Sequence, residues 1–164
     1  MSYPQTPAPS GATAMCAGVL AALGSLAHLL SAAGSFIVAL IPPRVYCDRQ
    51  PCPQPAYLPH LAVAGGIGIV LLSVGCLLAA GAFGLFRRRH KGQTRVQEGC
   101  VLALVSHLVG LAVVAILIST REITDSDAVD FSITVAIALL FPLVTLALAS
   151  SPSTKRWLDH TPAR

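Results

Sequence analysis

Charge is what this chain has least of: only 11% of its 164 residues are Asp, Glu, Lys or Arg, against about 25% in a soluble domain. The few charges fall in four short stretches, separated by long runs that hold none. A water-exposed surface cannot be assembled from uncharged segments of that length, so a soluble globular domain is excluded. Asparagine is missing altogether. With no Asn-X-Ser/Thr acceptor, N-linked glycosylation is excluded as well. Aromatic residues make up 5%, and the basic residues are too few for a nucleic-acid surface with stacking platforms. No nucleophile elbow, HExxH metalloprotease signature or Cys-rich zinc pattern occurs, which leaves catalysis without an acid–base–nucleophile set.

Four apolar runs remain. They cover about 14–41, 61–86, 100–118 and 131–149, and each approaches or exceeds the roughly 20 residues that a spanning helix needs. The fold class expected is an all-α membrane protein, an antiparallel bundle of four transmembrane helices with short connections. Residues 1–13 are rich in Pro, Ser and Thr and carry no charge, the composition of a flexible tail. Residues 150–164 form a second tail. The first run does not read as a cleaved signal, because no Lys or Arg precedes it and its apolar stretch exceeds the usual length.

Orientation follows from the loops. Residues 87–99 hold Arg87, Arg88, Arg89, Lys91 and Arg95 against Glu98, and the C-terminal tail adds Lys155, Arg156 and Arg164. The loop 119–130 instead carries Glu122, Asp125, Asp127 and Asp130 against Arg121. Positive loops stay cytoplasmic, so both termini and the basic loop are expected inside, in the cell membrane. The Arg87–Lys91 cluster is expected to set topology and to meet anionic lipid headgroups. Trp157, beside Lys155 and Arg156, has the makings of an interfacial anchor on the inner leaflet. Cys47 and Cys52 then lie outside, and their C-x4-C spacing between prolines suits a small disulfide-closed turn. Cys16, Cys76 and Cys100 fall in or beside apolar helices and are expected to be hydrophobic fillers. The acidic outer loop lacks the Gly and terminal Glu of a calcium loop.

Inside the spans there is no Asp, Glu, Lys or Arg, which argues against ion-coupled transport. The second run is rich in glycine, but a phosphate-cradling loop needs a preceding strand and water, and neither is available. The same residues fall instead at i, i+4 spacing: Ala64 with Gly68, Gly75 with Ala79, Ala80 with Gly84 and, in the first run, Gly18 with Ala22. Such small-residue faces let helices approach closely, within the chain or against a partner. Pro142 should kink the fourth helix, with Thr134 and Thr145 at hand to satisfy freed carbonyls.

His28 and His107 are the two ionisable residues that fall within the apolar runs, and such residues tend to face the bundle interior. Two neutral imidazoles on facing helices can hold a haem iron axially. Counting from the apolar starts places His28 about 15 residues into its helix and His107 about seven, on the order of 10 Å apart in depth at 1.5 Å per residue. That mismatch disfavours haem. The plainer expectation is packing, with each imidazole bonded to a neighbouring serine or carbonyl. No cofactor or metal is expected. The function these features favour is a non-catalytic accessory, assembly or stabilising subunit of a larger membrane complex, with the bilayer and a membrane-protein partner, or a second copy, as its contacts. The alternatives are a haem- or redox-linked protein using His28 and His107, and a small oligomeric channel or transporter.

Overall fold

The computed structural model describes residues 11–41, 57–119 and 125–160. These residues form five helices, α1 (Ala12–Leu40), α2 (Tyr57–Phe86), α3 (His90–Ser119), α4 (Asp125–Ser150) and α5 (Pro152–Asp159), and no strand. Each of the first four contains a stretch long and apolar enough to cross a membrane. At 29 residues, α1 is about 43 Å long at 1.5 Å per residue, more than the roughly 30 Å hydrocarbon thickness. Neighbours around the bundle follow chain order. The α1–α2 contact is the most extensive, α2–α3 and α3–α4 come next, and α1–α4 is the sparsest seam. Hence α1 and α3 face each other across a diagonal, and because α2 returns between them they run parallel. The outer surface is apolar, with Leu30 at 66%, Leu40 at 72% and Ile137 at 64% exposure. An apolar surface this extensive is stable only against lipid or protein.

The longest departure from the hydropathy reading is in α3, which begins at His90, ten residues before the apolar run that starts at Cys100. Lys, Gln, Arg and Glu are good helix formers, and no proline interrupts them. The connection from α2 is therefore only Arg87–Arg88–Arg89. Arg89 N–H donates to Gly84 O at 2.9 Å and Arg88 N–H to Leu85 O at 2.9 Å, the bond pair of a Schellman turn. Its left-handed position is Arg88, at φ 53°, where glycine is usual and another residue costs about 1–2 kcal/mol. The compensation lies across the turn, where the Arg88 guanidinium sits 4.6 Å above the Trp157 ring, a cation–π contact worth about 0.5–2 kcal/mol.

Such a tight turn forces α2 and α3 together at once. A Cβ on Gly92 would strike the backbone of Gly84 and Leu85, and one on Gly81 would lie 2.7 Å from the Val96 nitrogen. Backbone-to-backbone contact of this kind is open only to glycine. From there α3 buries Gly92, Val96, Gly99, Cys100 and Ala103, one helical stripe. Beyond Ala103 none of its described side chains is buried. The bundle is thus closed at the α2–α3 turn and loosens along α3 towards the opposite end. In the loosened half α1 and α2 still touch, with the Phe36 ring seated on Gly68.

The chain end does not lie apart from the bundle. Ser151 caps α5, its hydroxyl oxygen accepting from Thr154 N–H at 3.2 Å, with Pro152 at the first helical position. Trp157 is only 7% exposed and joins the same core as Ala14, Ala17 and Leu85. A Cβ on Gly11, the residue before α1, would run into its indole. Trp157 is therefore a plug under the bundle rather than the leaflet anchor expected from sequence. Gln93 donates to Ala149 O at 2.7 Å and Gln97 to Ser150 Oγ at 3.0 Å, and the first of these satisfies a carbonyl that the end of α4 leaves over. The His90–Asp159 pair at 3.3 Å is more than half exposed and adds little.

Two glycines separate close contact from open space. Gly92→Ala should lower stability by about 1–3 kcal/mol through overpacking. Gly66, where a Cβ meets nothing within 4 Å, should tolerate alanine with no loss or a gain of up to about 1 kcal/mol. Thermal unfolding of both variants in mild detergent measures the contrast, and equal shifts would contradict the close contact.

Candidate functional site

Depth is where the structure departs most from the sequence reading. His28 lies 16 residues beyond Ala12 in α1, and His107 lies 17 beyond His90 in α3. With the two helices parallel and starting at the same end, both imidazoles sit about 24–26 Å along their helices at 1.5 Å per residue. The mismatch on the order of 10 Å came from starting the third helix at the beginning of its apolar run rather than at its first helical residue. The rings meet across the diagonal, with centroids 6.0 Å apart and planes at 78°. This is the edge-to-face arrangement that aromatic rings prefer.

Each ring is fastened to its own helix. His28 Nδ1 lies 2.7 Å from Gly24 O, and His107 Nδ1 lies 2.6 Å from Ala103 O, each one turn back. A carbonyl oxygen only accepts, so Nδ1 carries the hydrogen in both rings and Nε2 of the neutral imidazole is left as a lone pair. No described buried side-chain nitrogen or oxygen lacks a partner. Among the described hydrogen bonds none involves either Nε2, and neither Nε2 is a buried atom left without a partner.

Both histidines line a cavity of about 260 Å³ bordered by all four long helices. His28, Leu20 and Leu23 of α1 face Ile137, Phe141 and Thr145 of α4, with Leu78 of α2 and Cys100, Ala103 and His107 of α3 completing the wall. The cavity lies by the sparse α1–α4 seam, at the level where α3 ceases to be buried. No charged side chain lines it. Thr145, the one hydroxyl-bearing residue of the lining, donates to Phe141 O at 2.7 Å. It does not reach back to Ala138, the residue whose carbonyl Pro142 leaves without its helical N–H. Ala138 and Pro142 both border the cavity. The signal for this was present in the sequence, since a proline frees the carbonyl four residues earlier. What the sequence withheld was that Ala138 and both histidines border one cavity.

Of the small-residue pairs, the glycines are spent inside the chain. Gly18 receives the Phe86 ring, Gly68 the Phe36 ring, Gly75 the Leu29 side chain, and Gly84 the backbone of Gly92. Their alanine partners stand at the margin, Ala64 and Ala80 half-buried and Ala22 and Ala79 exposed. Ser25 reinforces the Gly75 contact by donating to its carbonyl at 2.8 Å. Arg87 stacks on Phe83 at 4.2 Å, while Arg89 and Lys91 are exposed. Cys100 is a buried free thiol, whereas Cys16 and Cys76 are free and exposed. Cys47 and Cys52, with the proposed disulfide, lie outside the described residues.

Among the described residues no three His, Cys, Asp or Glu side chains converge to hold a metal ion. Haem fits in one respect only. Two lone-pair nitrogens on facing helices are the right donors, but a cavity of about 150 Å³ is what admits benzene. A tetrapyrrole needs several times that volume, and this cavity has 260 Å³ with no cation to meet the propionates. The site as built rejects the macrocycle.

Fold and site together define a multi-span helical membrane protein with a histidine-walled cavity midway along its bundle. No protein-family model, curated protein or solved structure matches the chain.

The tautomer is open to direct measurement. Nitrogen-15 spectra of the protein labelled in its imidazoles should show protonated Nδ1 and unprotonated Nε2 for both His28 and His107. The opposite tautomer at either residue would remove the basis of the site.

Proposed function

We propose that this chain is a non-catalytic, four-span protein of the cell membrane whose work is binding, its site the cavity between His28 and His107. The observation that carries this reading is the convergence of two half-buried imidazoles, each with its Nδ1 engaged by its own helix, on one apolar cavity of about 260 Å³. Ligand sites are concave and mostly apolar, with a few placed polar groups. Ionisable residues at membrane depth are costly and mark such sites. Cys100 and Thr145 share the wall with the imidazoles, but the Thr145 hydroxyl is bonded to Phe141 O and no described hydrogen bond joins either group to a ring, so binding rather than turnover is the role supported.

A second reading has its own observation. Gly34, Gly65, Gly66 and Gly110 are glycines where a Cβ would meet nothing. Open glycine on the face of a spanning helix lets another helix approach closely. It supports membership of a larger membrane complex, as an accessory or stabilising subunit or through self-association. In either reading both chain ends and the basic α2–α3 turn lie on the cytoplasmic side, where positive residues are retained.

Native mass spectrometry of the protein released from mild detergent tests both readings. A small molecule retained at one per chain, and lost when Ala138→Phe fills the cavity, is the expected result. A stoichiometric membrane protein in place of the small molecule would favour the second reading. A spectrum unchanged by Ala138→Phe would count against the first. Orientation is tested by Lys91→Cys at an exposed position, which should be labelled by a membrane-impermeant maleimide only after the membrane is opened. Labelling of intact cells would reverse the topology.

A further inference from the structure

We infer that the cavity selects a hydrogen-bond donor: a lipid-soluble molecule with one ring and a hydroxyl group, of the phenol or hydroquinol class. This rests on the reading of the cavity as a binding site and adds the chemistry of what fills it.

The inference follows from counting donors and acceptors on the wall. Both Nδ1 hydrogens are committed to the carbonyls of Gly24 and Ala103. Each neutral ring then offers only the Nε2 lone pair. The Thr145 hydroxyl hydrogen is committed to Phe141 O, so Thr145 too has only lone pairs to give. Pro142 has no N–H for the Ala138 carbonyl, and both residues border the cavity. The one donor left on the wall is the Cys100 thiol, which is weak. No carboxylate lines the cavity.

An apolar wall whose few polar groups are acceptors discriminates between closely similar ligands. A ketone, ester or quinone brings more acceptors and leaves every lone pair unpaired in an apolar setting, which is unfavourable. A hydroxyl supplies the missing hydrogen. Sites built to bond a hydroxyl reject the analogue that lacks it far more strongly than apolar pockets reject a methylene. The size is set by volume. Since about 150 Å³ accepts benzene, 260 Å³ accepts a ring with a short chain or ring substituents, laid against Leu20, Leu23, Ile137 and Phe141. The nearby α1–α4 seam, the sparsest in the bundle, offers a lipid-soluble molecule its shortest way in.

The test compares 4-butylphenol with 4-butylanisole, which share a ring and chain and differ in the donor hydrogen. Each is titrated into the full-length protein in lipid nanodiscs, and the nitrogen-15 signals of His28 and His107 are followed. The phenol should saturate a shift of an Nε2 signal at a concentration about tenfold lower than the ether. At least one of His28→Leu, read through the remaining His107, and His107→Leu, read through His28, should bring the saturating concentration of the phenol close to that of the ether. Equal binding of the two probes by the unaltered protein would overturn the donor rule while leaving the cavity a binding site. Binding of neither would overturn the rule and the site together. A bis-imidazole Soret band on adding ferric haem, abolished by His28→Leu and unaccompanied by any phenol preference, would replace the donor rule with iron ligation.

Discussion

The contact of α2 on α3 at Gly84 and Gly92 is the constraint from which the rest of the architecture follows. With no Cβ on either residue, the two helices meet backbone to backbone one turn from their connection. That closeness permits a three-residue turn, and the short turn starts α3 at His90. Starting there, seventeen residues of helix carry His107 to the level of His28. A longer connection would have shifted α3 along its axis and separated the imidazoles. Two glycines and a three-residue turn at one end of the bundle thereby determine what meets in its middle.

Around that contact, polar groups inside the apolar segments are handled by one rule. Ser73, Ser106, His28, His107 and Thr145 each give a hydrogen to a carbonyl three or four residues back on their own helix. Ser25 is different, donating across to Gly75 on α2. In hydrocarbon there is no water to take these hydrogens, so local carbonyls do. For serine and threonine the bond silences the side chain's donor. For histidine it has a second effect, because fixing the hydrogen on Nδ1 exposes a lone pair at Nε2. Two residues obeying an ordinary rule of membrane helices thus create a polar feature at a depth where such features are rare.

The basic turn and the C-terminal helix form the floor beneath this arrangement. Arg88 adopts the left-handed conformation a Schellman turn requires, and its guanidinium covers Trp157. Trp157 in turn occupies the space beside Gly11 at the start of α1, and Gln93 and Gln97 tie α3 to the end of α4. Residues with the composition of a polar tail and a topology signal therefore close the bundle at one end. The opposite end lacks such closure along α3, where the described residues past Ala103 are not buried.

What the sequence determined by itself was everything that depends on the solvent. Four long uncharged runs require hydrocarbon around them, and backbone hydrogen bonding in hydrocarbon requires helices. The glycines at Gly18, Gly68, Gly75 and Gly84 were legible as contact points because only their spacing mattered. Hydropathy could not locate the start of α3, since the polar stretch His90–Gly99 is helical without being apolar. From that one boundary came the false depth difference between the histidines. Nor could it place Trp157, whose neighbours Lys155 and Arg156 suggest a leaflet surface while its ring is taken by Gly11 and Arg88. The pairing of His28 with His107, and the grouping of Ala138, Pro142 and Thr145 beside them, were decided by tertiary structure alone. Residues on three helices come together only when the axial positions of those helices are set, and that register is a property of the Gly84–Gly92 contact, not of any segment read singly.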